Sequence, residues 1–499
     1  MLRILKSLST LEDPYWKSKK QKETTDLIAA TAGIWFEANA SAPVQAVNQP
    51  FEITANTLLN SDVKIRFSMG KVAGQASAFS DLQKGILLSK TDSIQADQLS
   101  QPYWLNEKSK VGYYTFSNQL LAGTAENQAP LSIWFNFMIN GQLVSYQRPV
   151  VFKSTDPVRG EVYQPLVIAP PVTATIAEKA YVFNENTPRS INVHLKGFLD
   201  NATGILEPQI PEGWKISPQK IDFSLNKKGD EEAVVFILTP SGNINSGHIS
   251  MKIKLDGQTF NRGLKAILYE HIPVQTLFPL AESRVERLNL KTDGKQIGYL
   301  AGAGDLIPES LKQLGYNVTM INEDQILNGD LSRFNAIISG IRAYNVNARL
   351  KFIQPKLMEY VKSGGTYLVQ YNVNNPLVLA DIGPYPFKIT RDRVTEEDAV
   401  VSILKPEHPV LNYPNKITLK DFDGWIQERG LYFLSDVDPK YDRILGMNDE
   451  NEKSGEGSLI VADYGKGRFI YTSLVFFRQL PAGVPGAYRL FVNLIAKKN

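Results

Sequence analysis

Cysteine is absent from the 499-residue sequence, and its absence excludes several kinds of chemistry at once. Disulfide bonds, thiolate zinc sites, iron–sulfur ligation and cysteine nucleophiles all require this residue. Histidine is also scarce, because the chain has only four, scattered at positions 194, 248, 271 and 408. No two of them have the spacing of metal ligands, so we predict neither a metal site nor a cofactor.

Surplus charge and long apolar runs are lacking too. The formal net charge is +3, and the densest basic run, from Lys17 to Lys22, is interleaved with polar residues. That pattern is typical of a solvated helix face rather than of a nucleic-acid-binding surface. No run of about eighteen apolar residues could span a membrane, and the first 22 residues lack the apolar centre of a signal peptide. We expect no nucleic-acid partner, no membrane span and no signal peptide.

The chain length indicates several domains, because one hydrophobic core stops growing near about 250 to 300 residues. Apolar and polar residues alternate ahead of Asn140-Gly141 and again ahead of Asp256-Gly257. Such pairs favour the type I′ turn of a β-hairpin, since both central residues need positive φ. Each hairpin would close a unit of roughly 100 residues, the size of an immunoglobulin-like sandwich.

After residue 279 the pattern changes to short apolar strands separated by glycine turns and helices. Strands joined through helices pair in parallel and bind ligands at their carboxyl ends. The predicted fold class is therefore multidomain, with two all-β immunoglobulin-like sandwiches followed by a flavodoxin-like α/β domain. The predicted boundaries are a linker helix at 1–43, sandwiches at 44–160 and 161–274, and the α/β domain at 275–499 with an insertion at about 381–449.

Three segments resemble the beginning of a functional motif but depart from it. The turn from Gly302 to Gly304 lacks the third glycine of a dinucleotide loop, because Ile307 stands there. Ser339-Gly340 follows a strand like a hydrolase nucleophile, but isoleucines replace the flanking glycines. Residues 421–424 begin like a calcium loop, but Tyr432 replaces the glutamate at its twelfth position. We interpret all three as ordinary turns.

Polar and aromatic side chains at the predicted strand ends and in the insertion form the candidate site. Arginine with carboxylates and flat aromatic rings can hold a sugar or a peptide through paired hydrogen bonds and stacking. The alternative is a buried network that fastens the insertion to the sheet. The candidate ligand-binding residues are Arg342, Tyr344, Asn345, Tyr371, Asn372, Trp425, Gln427, Arg429, Arg478 and Gln479.

Residues 340–345, 382–387, 423–430 and 477–486 resemble the C-terminal region of long bacterial PIG-L (LmbE-like) deacetylases, as do shorter runs at 102–105 and 211–214. In that family an upstream zinc domain removes N-acetyl groups from amino sugars with a His-Pro-Asp-Asp type motif. Here His408 precedes Pro409 and Val410, so no catalytic residue carries over. The resemblance implies an extracytoplasmic accessory region whose partner is an upstream or separate deacetylase domain.

The last domain is also similar to class I glutamine amidotransferases, but Tyr371-Asn372 occupies the comparable place of their cysteine nucleophile. The leading hypothesis is a non-catalytic carbohydrate-binding or scaffold region, without catalysis by this chain alone. The alternative is a cryptic hydrolase of a sugar derivative, in which Glu428 or Asp423 acts as general acid or base. A buried Glu428 in a tight salt bridge would count against the hydrolase, and a purely structural role is the third possibility.

Overall fold

A computed structural model describes residues 1–71, 78–110, 112–240, 242, 245–374 and 376–497. Strands make up 39% of the structure and helices 18%, so the protein is mostly β. Three consecutive regions can be distinguished by which strands pair with one another.

The first region is a large, mostly antiparallel sheet with two helices at its start, in which β1 and β8 pair in parallel. Strands β5-β4-β7-β8-β1-β3-β6 follow one another across the sheet, β9 pairs with β8, and β2 pairs with β10. The elements are α1 (Leu2–Leu8), α2 (Pro14–Ala32), β1 (Ile34–Ala40), β2 (Val44–Ala46), β3 (Phe51–Leu59), β4 (Ile65–Gly70), β5 (Ser80–Asp81), β6 (Leu88–Ile94), β7 (Ser132–Ile139), β8 (Gln142–Asp156), β9 (Gly160–Pro165) and β10 (Val167–Ala169), with 3₁₀ turns at Tyr103–Leu105 and Gln119–Leu121.

Helix α2 has a typical capping residue at each end. The Asp13 carboxylate accepts a hydrogen bond from Trp16 N at 3.0 Å, which satisfies a backbone donor that the helix itself leaves free. Gly33 ends the helix in the left-handed conformation. Ile28 and Ala32 join the core of the sheet, so the helix is stabilised by packing on the first region.

The second region consists of two facing sheets that share one core. The sheet orders are β11-β13-β17-β15 and β12-β22-β18-β14-β16, with β19 on β18. The strands are β11 (Val172–Ile176), β12 (Ala180–Phe183), β13 (Arg189–Gly197), β14 (Ala202–Gln209), β15 (Lys215–Ser217), β16 (Ile221–Leu225), β17 (Glu231–Thr239), β18 (Asn245–Leu255), β19 (Gln258–Phe260), β20 (Lys265–Ile267), β21 (Gln275–Leu277) and β22 (Glu282–Arg287). Because β22 pairs with β12 and β18, this unit extends to Arg287, beyond the predicted boundary at residue 274.

Both predicted hairpins are confirmed. Asn140 and Gly141 join β7 to β8 with φ of 47° and 77°, and Asp256 and Gly257 join β18 to β19 with φ of 48° and 74°. Positive φ at both central residues is the requirement of the type I′ turn.

The third region contains a seven-stranded sheet in the order β24-β23-β25-β26-β35-β34-β32. The first five strands are parallel, and the last two pairings are antiparallel. The elements are β23 (Gln296–Leu300), α3 (Ile307–Gln313), β24 (Asn317–Met320), α4 (Glu323–Asn328), β25 (Ala336–Ser339), α5 (Ala343–Val346), α6 (Leu350–Lys362), β26 (Thr366–Gln370), β27 (Lys388–Ile389), β28 (Arg393–Val394), β29 (Val401–Ile403), α7 (Pro409–Asn412), β30 (Gly430–Leu431), β31 (Leu434–Ser435), β32 (Asp442–Arg443), β33 (Leu445–Met447), β34 (Leu459–Tyr464), β35 (Gly467–Thr472), α8 (Phe476–Gln479) and α9 (Pro485–Ile495), with 3₁₀ turns at Leu331–Arg333 and Leu419–Phe422.

The prediction of a flavodoxin-like, glutamine amidotransferase-like α/β domain is wrong. The chain is mostly β with few helices, and the described residues between β26 and β34 contain no helix longer than four residues. Short strand pairs fill that long connection instead, namely β27 with β31, β28 with β30 and β29 with β33. The strand–turn–helix alternation that suggested a doubly wound domain holds only as far as β26, and it does not continue through the insertion.

Candidate functional site

The candidate site lies where the parallel strands β23, β25, β26 and β35 end. The loops after β23 and β25 touch there, because Ala303 N donates to Ile341 O at 2.8 Å. A Cβ on Gly302 would clash with that same carbonyl, so the close approach requires glycine. Strand ends on one edge of a parallel sheet are where such sheets bind ligands, and we call this place the crevice.

Asp305 occupies the turn that resembled a dinucleotide loop. Its carboxylate accepts hydrogen bonds from Ile307 N at 3.0 Å, from Ile341 N at 3.2 Å and from the Tyr299 hydroxyl at 2.5 and 2.6 Å. The backbone N–H groups that would bind a phosphate in such a loop therefore already bind a carboxylate. The interpretation of this segment as an ordinary turn agrees with that arrangement.

Three aromatic rings form the wall of the crevice. Tyr371, which directly follows β26, stacks on Tyr432 with centroids 6.2 Å apart and planes 9° apart, and on Phe477 at 5.2 Å and 28°. Tyr371 is 8% exposed, whereas Tyr432 and Phe477 are half-buried. Burial raises the pKa of Tyr371, and the nearby guanidinium groups of Arg342 and Arg478 oppose that rise. The phenol therefore stays a neutral hydrogen-bonding group at physiological pH.

Arg478 and Glu428 form an ion pair beside these rings. Arg478 Nε donates to Glu428 Oε1 at 2.8 Å, and Nη1 donates to Gln427 Oε1 at 3.0 Å. The Glu428 residue is 8% exposed, while 32% of the Arg478 side chain remains accessible. A carboxylate that accepts from an arginine in this way is held in one orientation. This is the arrangement that we expected to count against the hydrolase hypothesis.

Arg342 differs from the other arginines of the site because its guanidinium has no partner among the residues that the structure describes. Its Nε is buried without a hydrogen bond, and among residues 1–71, 78–110, 112–240, 242, 245–374 and 376–497 it forms no ion pair. By contrast, Arg478 binds Glu428, and the buried Arg429 donates to the carbonyls of Ala399 and Phe422. A buried donor without a partner costs about 1 to 3 kcal/mol of folding free energy. The position of Arg342 therefore destabilises the fold by roughly this amount.

Left-handed backbone geometry is concentrated around the same crevice. Nine described non-glycine residues have positive φ, and six of these are Asn or Asp, which tolerate that geometry. The other three are Arg342 at 56°, Gln427 at 71° and Tyr432 at 57°, and all three border the crevice. Each costs of order 1 to 3 kcal/mol, and such residues cluster at ligand-binding sites.

Five of the residues predicted to bind a ligand are instead buried structural residues. The Tyr344 hydroxyl hydrogen-bonds Gln354 and Tyr367, and the side-chain oxygen Oδ1 of Asn372 accepts from Tyr344 N at 2.9 Å. Trp425 is 3% exposed and donates Nε1 to Asp421 O at 2.9 Å. For these side chains the prediction of ligand contact is wrong, because they are buried. The five residues are Tyr344, Asn372, Trp425, Arg429 and Gln479.

The remaining predicted residues lie at or near the crevice, but only some face it. Arg342, Tyr371, Gln427 and Arg478 come together there. Asn345 instead fixes the loop after β26, by donating to Val373 O at 3.0 Å and accepting from Val373 N at 3.0 Å. Asp423, the second candidate acid or base, is exposed in the insertion.

Tyr432 and Asp305 are residues of the site that the sequence did not identify as candidates. Phe477 belongs to the aromatic residues predicted at the strand ends, because it immediately precedes Arg478 after the last strand. Tyr432 offered none, because it reaches Tyr371 only when the insertion folds back over the strand ends.

Among the described residues, no group of three or more His, Asp or Glu side chains is placed to hold a metal ion. Within that same part of the chain, every helix is too short or too polar to traverse a lipid bilayer.

No family model matches the chain, and no curated protein matches it. Solved structures align to about half of it, at low similarity. Alpha-2-macroglobulin of E. coli is 9% identical over 51% of this chain and 17% of its own, with a TM-score of 0.18. Red sea bream transglutaminase is 8% identical over 54% of this chain and 34% of its own, with a TM-score of 0.21. The chain thus spans at most about a third of these two proteins.

The assignment to the PIG-L (LmbE-like) deacetylases is wrong in the light of these comparisons. Neither a family model nor a curated protein of that family matches the chain. Short runs of glycine, proline and aromatic residues suggested the family, but such runs also mark turns and strand ends in unrelated folds. The expected deacetylase partner rested on this resemblance alone and is therefore also unsupported.

Proposed function

We propose that the crevice at the parallel strand ends binds carbohydrate and that this region acts without catalysis. The observation that carries the proposal is the set of three stacked rings, Tyr371, Tyr432 and Phe477, beside hydrogen-bonding side chains. A sugar ring has an apolar C–H face that packs on an aromatic ring, and hydroxyls that need donors and acceptors around it.

The polar side chains of the crevice complement those hydroxyls. Gln427 is exposed, and about a third of the Arg478 side chain is accessible. Both are held in place, because Gln427 Oε1 accepts from Arg478, and the Arg478 guanidinium is fixed by Glu428. A pre-oriented polar rim lowers the entropy that binding must overcome. The rings and the rim together favour a binding role over a role confined to holding the insertion in place.

Glycan binding by the full chain tests this proposal. We expect the protein to bind members of a glycan array, and Phe477→Ala and Tyr432→Ala each to weaken that binding at least tenfold, because each removes part of the stacking wall. The matched control is Phe352→Ala, which removes an aromatic ring that is 59% exposed on α6 outside the crevice and should leave binding unchanged. If the full chain binds no glycan, the proposal fails.

A further inference from the structure

Arg342 is the one guanidinium of the crevice that no described side chain neutralises. It lies close enough to Tyr371 to act on its titration, together with Arg478. Arg478 is paired with Glu428 at 2.8 Å. The Asp305 carboxylate accepts from Tyr299, Ile307 and Ile341 and forms no ion pair with Arg342 in the described part of the chain. Arg342 is thus the arginine of the crevice whose guanidinium is not already paired with a carboxylate.

The backbone holds Arg342 in this position. The residue adopts left-handed geometry at the start of α5, and its N–H donates to Tyr371 O at 2.8 Å. The loop that carries it is thus tied to the residue whose ring forms the centre of the aromatic wall. The backbones of the arginine and the tyrosine are thereby fixed side by side, and the buried Nε of the arginine has no hydrogen-bond partner among the described residues.

The Tyr371 hydroxyl is a second group without a partner. No described residue hydrogen-bonds it, whereas Tyr299, Tyr344 and Tyr471, on neighbouring strands and loops, all use their hydroxyls within the protein. A guanidinium binds a carboxylate through two parallel hydrogen bonds, and a neutral phenol can donate a third.

We infer that the crevice selects sugars that carry a carboxylate, and that Arg342 is the residue that binds this carboxylate. The inference rests on the proposed carbohydrate binding and makes it more specific. The sugar ring would pack on the aromatic wall while its acidic group bonds Arg342. Uronic acids and other sugar acids combine a ring that has an apolar C–H face with a planar anion.

Matched pairs of acidic and neutral glycans test the inference on the unmodified full chain. The probes are glucuronate and glucose, galacturonate and galactose, and N-acetylmuramate and N-acetylglucosamine, each presented as an oligosaccharide or glycoside, with a sulfated galactoside as a further anion. We expect at least one acidic member to bind tenfold or more tightly than its neutral partner. That preference should decrease with added salt, because the contact is between charges.

Arg342→Gln should weaken binding of the acidic glycan at least tenfold more than binding of its neutral partner, so that the preference disappears. Arg349→Gln is the matched control, since Arg349 lies seven positions further along the same segment and pairs with Glu323 on the surface. Equal affinity for acidic and neutral members overturns the inference but leaves the proposed function standing. Tighter binding of the sulfated probe than of every carboxylated one also overturns it, and binding of no glycan at all overturns both. The comparison of glycans by the unmodified chain decides these outcomes even if a variant fails to fold.

Discussion

The sheets of the first and third regions bury their residues in different patterns. Along β3, buried residues alternate with more accessible ones, whereas every residue of β25, β26 and β35 is buried. The neighbouring residues Ile337 and Ile338 of β25 belong to two separate apolar cores, because successive side chains of a strand point to opposite faces. The third sheet is therefore covered on both faces, whereas β3 has one accessible face.

That difference decides where polar chemistry can lie in each region. In the first region, polar groups occur along the strands, as where Glu37 of β1 accepts from Lys153 at 3.2 Å and from Tyr163 at 3.0 Å. In the third region, polar residues inside the central strands, such as Gln370 and Arg468, are buried, and accessible polar side chains lie where these strands end. The crevice with Arg342 and Arg478 is the result. A sheet that is buried on both faces thus concentrates its functional residues at one edge.

The largest expected effect tests this contrast directly. Ile337→Lys and Ile338→Lys should each destabilise the protein by about 3 to 5 kcal/mol, because each buries an unpaired charge on one of the two covered faces. In β3, only the inward-pointing member of a neighbouring pair should behave in this way. Ile53→Lys should destabilise similarly, while Glu52→Lys at an exposed position should change stability by less than about 0.5 kcal/mol.

Unfolding by denaturant, followed by circular dichroism, measures all four variants. The contrast between the regions would be broken if either Ile337→Lys or Ile338→Lys were as mild as Glu52→Lys. It would then follow that one face of the third sheet is open.

A smaller loss of stability should distinguish a buried tyrosine hydroxyl of the third region from a surface tyrosine hydroxyl of the first. Tyr344→Phe removes a buried hydroxyl that bonds Gln354 and Tyr367, and we expect a loss of about 1 to 2 kcal/mol because the Gln354 acceptor loses its donor. Tyr163→Phe removes a hydroxyl that bonds Glu37 and Glu161 on the surface of the first region, where water replaces the lost bonds. The free energies of unfolding of the two variants provide the comparison, and equal losses would argue against it.

The smallest expected effect is a pH dependence confined to the third region. Burial lowers the pKa of His408 below its ordinary value, although Asp442 opposes that effect. The unfolded chain therefore takes up a proton at a higher pH than the folded protein, and stability falls as the pH drops below about 6.5, the ordinary histidine pKa. Above that pH neither state is protonated, and the contribution disappears.

His408→Asn should reduce this loss of stability, because asparagine can still cap α7 by accepting from Val410 N but does not titrate. Melting temperatures at about pH 7.5 and pH 5 measure the slope. His271→Asn, at an exposed position of the second region, is the control and should leave the slope unchanged. A slope that is the same in His408→Asn and in the unmodified protein would contradict this expectation.

Local features of the fold could be predicted from the sequence, and the larger arrangement could not. Short apolar strands were predicted after residue 279, and β25 and β26 are among the strands found there, because short apolar runs next to glycine determine them locally. The fold class was wrong, because the chain is mostly β with few helices. The family resemblance was wrong because short runs of residues do not fix a long-range topology.

The candidate site was predicted in the same partial way. Arg342, Tyr371 and Arg478 were identified because they directly follow strands, and the ends of parallel strands meet at one edge. Trp425 was predicted to contact a ligand, but its ring packs on Phe422 and Phe476 inside the protein. Burial of a tryptophan depends on the residues around it, which the sequence does not show. Its residue type alone fits an aromatic wall and a hydrophobic core equally well.

By itself, the sequence determined the chemistry that this protein lacks, with no cysteine to react, and the turns at Asn140 and Asp256, because φ preferences act between neighbouring residues. Only the tertiary structure decided which arginine of the crevice has no described hydrogen-bond or ion-pair partner for its guanidinium. Glu428 pairs with Arg478, which lies 50 positions further along the chain. Arg429 donates to the carbonyl of Ala399, which lies 30 positions earlier. Arg342 has no described partner at any separation. Charges are paired by contacts across the fold, and contacts between residues so distant in the chain exist only after it has folded.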